Sequence, residues 1–343
     1  RGNDMPLPES SRFQFTEDME ICRILNGMWQ VSGGHGPVDR AAAVQDMFPY
    51  VEEGFTTWDL ADHYGPAEDL VGEFRRRLVD EKGREALKTV RAFTKWVPRP
   101  GPMTRGAVEQ AVDVSLRRMD TDCLDLLQFH WWDYQDESYL DALSHLSDLR
   151  DEGKIRHVAL TNFDTERLKR ITGHGIKVVS NQVQFSLVDR RPEVEMVQFC
   201  LDQGIHLLAY GTLCGGILSD KYLGAPEPSR ANLNTSSLSK YKQMVDAWGG
   251  WELFQELLRA LKIVADKHKV SIANVAVRYV IDRPAVAGAI VGVRLSASEH
   301  RSDSAKVFNL SLDQSGLDQI EAVLNRSKNL YQIIGDCGDE YRR

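Results

Sequence analysis

The sequence is poor in the features that announce disulfide, membrane or nucleic-acid chemistry. Its five cysteines, Cys22, Cys123, Cys200, Cys214 and Cys337, are odd in number, scattered, and make no CxxC pair. That argues against a disulfide framework or a cysteine-bound zinc, and suits a reducing compartment. Lys and Arg number 42 against 50 Asp and Glu, a net charge of −8. So acidic a chain carries no electrostatic footprint for nucleic acid or an anionic membrane, and neither is an expected partner. No apolar run nears the roughly 18 residues that span a bilayer. No secretory signal, linker or low-complexity tract is visible, and "SGGHGP" at 32–37 lacks the spacing and strand–helix setting of a GxGxxG dinucleotide fingerprint. The chain starts at Arg1 rather than Met. The expected location is the cytoplasm, or an organelle such as a plastid if a targeting segment preceded Arg1.

What the sequence does have is a rhythm. Short β-branched or apolar runs, Ile24–Trp29, Phe55–Leu60, Thr89–Lys95, Cys123–His130, Ile155–Leu160, Val178–Gln184, Ile205–Tyr210 and Val286–Val291, alternate with helical stretches. The helices fall near 39–53, 66–81, 104–119, 136–152, 164–172, 191–203, 251–268 with 271–282, and 297–308. Eight βα units with short links predict an α/β fold, a closed (β/α)8 TIM barrel, over 1–343 as one domain with a core of about 12–326. Residues 12–23 alternate like a β-hairpin that plugs the barrel floor. Residues 211–250 read as a long Gly/Pro/Ser/Asn-rich loop, 312–326 as an extra C-terminal helix, and 327–343 as a polar tail.

Barrel enzymes do their chemistry where strands end at the carboxyl face. Six successive strands here finish on Asp59, Lys95, His130, Asn162, Gln182 and Tyr210. One polar strand end is ordinary, but six in order are hard to reach without a site. "TTWDLADHYGPAEDL" at 56–70 adds Tyr64 five residues beyond Asp59. A phenol titrates near 10 in water, too high for neutral-pH proton transfer. A nearby ammonium is expected to lower it. Lys95 is placed to do so, held by Asp59 in a partly buried ion pair, while His130 reaches the same substrate oxygen. The implied chemistry is proton transfer to a carbonyl oxygen, which requires a hydride source.

"DxxxxY", a Lys after strand three and a His after strand four, on an eightfold barrel, resemble the aldo-keto reductase superfamily, its non-mammalian-type branch. "LNGMWQ", "TNF", "NQV", "AYGTLCGGILSDKY" and "GAIVGVRLSASEH" extend the resemblance over nearly the whole chain. It implies Tyr64 as general acid, Lys95 and Asp59 tuning it, and His130 orienting the carbonyl. Members with Glu at the His position reduce activated carbon–carbon double bonds, so a retained His favours carbonyl reduction. The resemblance also implies a nicotinamide cofactor. Tyr210 would stack on its ring, Asn162 and Gln182 hold its carboxamide, and "GTLCGG", with Gly211, Thr212, Leu213 and Gly215, follow the pyrophosphate. Gly27, Met28, Trp29, Asp59, Thr161, Gly292 and Ser298 complete the cofactor set.

Arg294 stands where a basic residue meets a 2′-phosphate, which implies NADPH over NADH. Ser296 and Glu299 form a Ser-x-x-Glu capping box that would open a helix at about 297 and present N–H groups to an anion. Asp303 and Ser304 occupy positions that usually carry Glu-Asn against the adenine, and His300 replaces an Arg or Gln; these departures weaken the NADPH preference. Trp29, Tyr64, Trp96, His130 and Trp131 are the expected pocket for a small carbonyl substrate, with Trp132 in the same cluster and His63 beside it. Cys214 reads as a small buried side chain. No metal is expected, and a monomer is the expected state. The competing class is a cofactor-binding, redox-sensing regulatory subunit of the potassium-channel β-subunit kind, since fold does not settle function.

Overall fold

The computed structural model describes residues 6–33, 37–293, 295 and 300–342. Two strands, β1 (Arg12–Thr16) and β2 (Met19–Cys22), pair as an antiparallel hairpin. Eight more close a parallel barrel: β3 (Ile24–Gly27), β4 (Thr57–Asp59), β5 (Arg91–Trp96), β6 (Leu124–Phe129), β7 (Ile155–Thr161), β8 (Ser180–Gln184), β9 (His206–Tyr210) and β10 (Val286–Gly292). They follow in chain order, and β10 closes on β3 with Val291 opposite Asn26 and Gly292 opposite Gly27. This is the expected (β/α)8 barrel.

The helices are α1 (Arg40–Glu53), α2 (Ala67–Lys82), α3 (Arg105–Arg118), α4 (Ser138–Asp151), α5 (Thr165–Gly173), α6 (Met196–Gln203), α7 (Ser236–Trp248), α8 (Trp251–His268), α9 (Ile272–Ile281), α10 (Arg301–Ala305), α11 (Gln314–Leu324) and α12 (Leu330–Ile333). Their starts are chemically marked. Asp39, Thr104, Asp164, Thr235 and Asp313 each accept a backbone N–H at the first turn, and Ser271 and Asn274 form a reciprocal capping box. None of the described helices is long and apolar enough to cross a membrane.

Strand period two divides the core. Outward residues such as Trp58, Leu127 and Phe129 pack with the helices. Inward residues Leu25, Phe93, Leu126, Ala159, Leu208 and Ala287 form a separate cluster with Phe15, Met19 and Ile21 of the hairpin. The hairpin is therefore a floor plug, with the Phe15 and Phe93 rings 5.5 Å apart.

Three expectations change. Residues 211–250 are not one loop, because α7 fills Ser236–Trp248 with Tyr241, Val245 and Trp248 buried. The helix expected over 297–308 is described only from Arg301, as α10 and a 3-10 turn at Lys306–Asn309; Ser296 and Glu299 lie outside the described residues. The polar tail is also structured: α12 and a 3-10 turn at Asp339–Arg342 fold it across the barrel mouth. Truncating the plug with Phe15→Ala should lower the unfolding free energy by about 3–5 kcal/mol. A urea titration that leaves the midpoint unmoved would show that the hairpin does not hold the floor.

Candidate active site

At the carboxyl end of the barrel the inward positions are polar, and they bond to one another. Lys95 Nζ donates to Asp59 Oδ2 at 2.7 Å, to the Leu60 carbonyl at 3.2 Å and to Tyr64 Oη at 3.3 Å. The two charged side chains are only 4–5% exposed. Asp59 Oδ1 accepts from Gln128 Nε2 at 3.1 Å and Gln182 Nε2 at 2.8 Å, and the Gln182 amide also donates to Gln128 Oε1 at 2.7 Å. Every carboxylate oxygen thus has a donor, which a buried charge requires.

Burial alone would lower the Lys95 ammonium, but Asp59 and then Tyr64 hold it above its ordinary value. The Tyr64 phenol corrects the expectation. Burial raises it, Lys95 lowers it and Asp59 raises it again, and the balance stays above the ordinary phenol value. The ammonium limits the rise and does not reverse it. With Lys95 donating to its oxygen, the phenol is left holding a proton to give.

His130 faces the same mouth. Burial, with the Arg342 guanidinium adding to it, pushes the imidazole down to about 3, so it is neutral. Its Nδ1 lies 3.3 Å from the Thr161 carbonyl, which can only accept, while Nε2 is buried without a partner among the described residues. In this tautomer Nε2 offers a lone pair suited to an alcohol hydroxyl; a bound carbonyl would take the other tautomer.

The tryptophans sort by strand alternation. Trp29 packs edge-on to Tyr64 with ring centres 5.1 Å apart. Trp131 does not line the mouth: it is 0% exposed, packs on Phe129, and its indole N–H goes to the Asp133 and Asp136 carbonyls. Trp96 turns the same way, 5.5 Å from Phe129. Lys95 and His130 point inward, so their neighbours Trp96 and Trp131 point outward. The wall residue is Trp132, 41% exposed and 4.3 Å from the His130 ring. Alternation through "HWW" was the signal for it, as it was for Gln128 and Gln184, inward partners of His130 and Gln182. His63 is exposed and bonds its neighbour Asp62.

The residues expected around a cofactor are distributed unevenly. Tyr210 donates to Asn162 Oδ1 at 2.7 Å. Asn162 takes a left-handed backbone, φ 61°. Among the described residues nothing bonds Asn162 Nδ2 or Gln182 Oε1, which leaves one donor and one acceptor at the mouth, the complement of a carboxamide. Among the described residues Gln30 Oε1 and Gln184 Oε1 are also buried without hydrogen-bond partners. This donor and acceptor set fits a nicotinamide.

Met28, Thr161 and Thr212 are buried, with Leu213 beside them half-buried. Gly211 and Gly215 have packing reasons of their own, since a Cβ on either would strike the Tyr241 ring. Gly27 would meet Ile290 and Gly292 would meet Gln30 in the same way. Asp303 is drawn away to Ser271 Oγ and Asn274 Nδ2, at 3.0 and 3.3 Å, and so supports the start of α9 rather than standing free for an adenine. His300 is exposed at the start of α10, and Ser304 donates its N–H to the His300 carbonyl. Arg294 and Ser298 lie outside the described residues. Cys214 is buried, its thiol pushed up to about 12 by burial.

One contributor was not legible in the sequence. The tail crosses the mouth, where Arg342 donates to the carbonyls of Asn162, Trp131 and Gly338. Tyr341 Oη lies 3.4 Å from Tyr210 Oη. Gly338, at φ +80°, permits the approach, since a Cβ there would sit 2.2 Å from the Asn162 carbonyl oxygen.

The model of the Aldo/keto reductase family matches residues 23–325. Flagellar radial spoke protein 5 of Chlamydomonas reinhardtii is 29% identical over 257 residues, 65% of this chain and 49% of that protein, so the chain spans about half its length. The chloroplastic pyridoxal reductase of Arabidopsis thaliana is 27% identical over 299 residues, 83% of this chain and 77% of that one. Among solved structures, an aldo-keto reductase from Klebsiella pneumoniae in complex with NADPH superposes with a TM-score of 0.66 at 23% identity, over 92% of this chain and 95% of that one. The structural likeness carries the fold, and the match of the family model over most of the sequence carries the kinship: the chain belongs to the aldo/keto reductase family.

Proposed function

We propose that the chain reduces an aldehyde or ketone to the alcohol, with Tyr64 as the proton donor and NADPH as the preferred cofactor. The observation that carries this reading is the buried Asp59–Lys95 pair with its third contact on the Tyr64 hydroxyl. When bound, the reduced nicotinamide supplies a hydride to the carbonyl carbon. Tyr64 gives its proton to the carbonyl oxygen, and Lys95 stabilises the phenolate left behind. His130, neutral, hydrogen-bonds the same oxygen and sets the carbonyl's orientation. Trp29 and Trp132 wall the pocket and exclude water, which strengthens each of these polar contacts.

Asn162 Nδ2 and Gln182 Oε1 would hold the carboxamide, Tyr210 the ring face, and the 211–216 turn the pyrophosphate. Arg294 would meet the 2′-phosphate, with Ser298 in the same cofactor set. The NADPH complex of the Klebsiella pneumoniae relative and the reductase named in Arabidopsis thaliana support the cofactor and the reaction class. The expected substrates are small carbonyl compounds.

Tyr64→Phe should cut NADPH oxidation across a panel of aldehydes and ketones by about 10²- to 10⁴-fold. NADPH binding, followed by its fluorescence, should hold; undiminished turnover would remove Tyr64 from the role of acid. Cofactor binding without turnover of any panel member by the parent chain would favour the regulatory reading.

The pH dependence follows from the raised phenol. Reduction needs Tyr64 protonated, so its kcat should stay level from pH 6 to about 10, the ordinary phenol value. Alcohol oxidation needs the phenolate and should climb with pH over that range. A fall in reduction with a midpoint near neutrality would contradict the assignment.

For the cofactor, Arg294→Ala should raise the KM for NADPH by about 10- to 100-fold, the scale of a lost charge-assisted contact to a phosphate. The KM for NADH should move little. Equal use of both cofactors by the parent chain would sink the 2′-phosphate role.

A further inference from the structure

Across the mouth from Tyr64 and Lys95 stands a second phenol–ammonium pair. Lys240, on α7, donates to Tyr341 Oη at 2.5 Å. Its ammonium also lies 5.3, 5.3 and 5.0 Å from the ring centres of Tyr210, Tyr241 and Tyr341. Among the described residues Lys240 makes no ion pair with a carboxylate. The nearby Glu340 feels its charge but is held by both Arg191 terminal nitrogens, at 2.8 and 3.1 Å. A cation enclosed by rings and lacking a counter-ion is unusual at a half-buried position, where cations are normally paired.

The tail that carries Tyr341 is fixed rather than draped. Arg191 joins Asp189, the Asp336 carbonyl and Glu340, with the Asp189 and Arg191 side chains 0–1% exposed. Asp336 in turn accepts the Thr165 N–H at 2.8 Å. Anchored this way, the Tyr341 ring stands 6.2 Å from both the His130 and Trp132 rings. Lys240 occupies a lone pair of the Tyr341 oxygen, and Tyr210 sends its own proton to Asn162. The Tyr341 proton is therefore left for Tyr210 Oη or for an acceptor that enters the mouth. Arg342 adds a second positive charge beside it, bonded to carbonyls and, among the described residues, paired with no carboxylate.

We propose that Lys240 and Tyr341 receive an oxyanion carried by the substrate, so that the preferred carbonyl compounds are acidic, with a carboxylate or phosphate group near the carbonyl. The proposal rests on the reductase reading for its meaning and names the substrate class of that site. Tyr341 donates its hydrogen bond to the oxyanion while Lys240 supplies the charge behind it. His130, being neutral, supplies none.

The test compares 4-carboxybenzaldehyde with 4-methylbenzaldehyde, similar in shape and different in charge, in NADPH-oxidation kinetics with the full chain. The parent should favour the acid in kcat/KM, chiefly through KM. Lys240→Met should shrink the acid-to-neutral ratio by about 10- to 100-fold, the scale of a lost charge-assisted hydrogen bond. Lys240→Arg should restore most of it, and Tyr341→Phe should shrink it less. An unchanged ratio overturns the proposal, whatever happens to the absolute rates, because a residue that only braces the tail lowers both substrates together. Weakened NADPH binding in Lys240→Met with no change in the ratio would place the charge on the cofactor's pyrophosphate instead, and also overturns it. Should neither aldehyde be reduced, the reductase reading fails on its own account. Binding of 4-methylbenzoate, followed by quenching of tryptophan fluorescence, then decides: about tenfold weaker binding in Lys240→Met than in the parent supports the anion site, and equal binding removes it.

Discussion

The buried ion pair of Asp59 and Lys95 is the constraint around which the mouth is arranged. Two charges taken out of water are unfavourable unless every remaining lone pair and proton finds a partner. The barrel meets that demand from four strands. Asp59 comes from β4, Lys95 from β5, Gln128 from β6 and Gln182 from β8, and their side chains close on one another within 3.1 Å. Once the pair is satisfied, the third Lys95 proton has one useful direction, toward Tyr64 Oη. The position of the proposed acid therefore follows from the electrostatics of a pair it does not belong to. Removing either charge would leave the other buried and uncompensated, at a cost of about 3–5 kcal/mol, so structure and chemistry are not separable here.

Burial also decides the protonation states. The phenol and the imidazole are both buried at the mouth and are driven in opposite directions on the pH scale, because each is moved toward its neutral form. Tyr64 rises and stays a donor; His130 falls to about 3 and stays uncharged. On the proposed reading, the neutral phenol and the neutral imidazole put no charge of their own against the carbonyl. The ammonium behind Tyr64 then favours the state in which the proton has left, which is where stabilisation raises a rate.

The barrel and its polar strand ends were readable because both depend on short-range periodicity. A strand's apolar run, a capping Asp or Thr and a period of two are local properties, and they put Asp59, Lys95, His130 and Gln182 on the inner face before any coordinate is known. The same rule, carried one residue further, would have exchanged Trp131 for Trp132 and turned Trp96 outward. What the sequence hid were features set by distant contacts. Residues 211–250 look like loop by composition, yet α7 forms because Tyr241, Val245 and Trp248 are buried, and packing outweighs the Ser residues of its first turn. The sign of the Tyr64 shift was missed for a related reason: Lys95 is visible as a neighbour in the motif, whereas desolvation is a property of the closed mouth.

The tail shows how far such non-local design extends. "GDCGDEYRR" reads as a charged, solvated stretch, since five of its nine residues are Asp, Glu or Arg. Its meaning comes from Arg191, some 149 residues earlier, which grips Glu340, and from the carbonyls of Asn162 and Trp131, which accept from Arg342. Gly338 is the residue that lets backbone meet backbone at that crossing. A flexible end would cost conformational entropy each time it covered a ligand. An end tied down by a buried guanidinium has met that cost during folding, so Tyr341 stands in place beside His130 before anything binds. Preorganisation of this kind makes residues 336–342 part of the wall of the mouth, and it makes the shape of the mouth depend on Arg191, far away in the sequence.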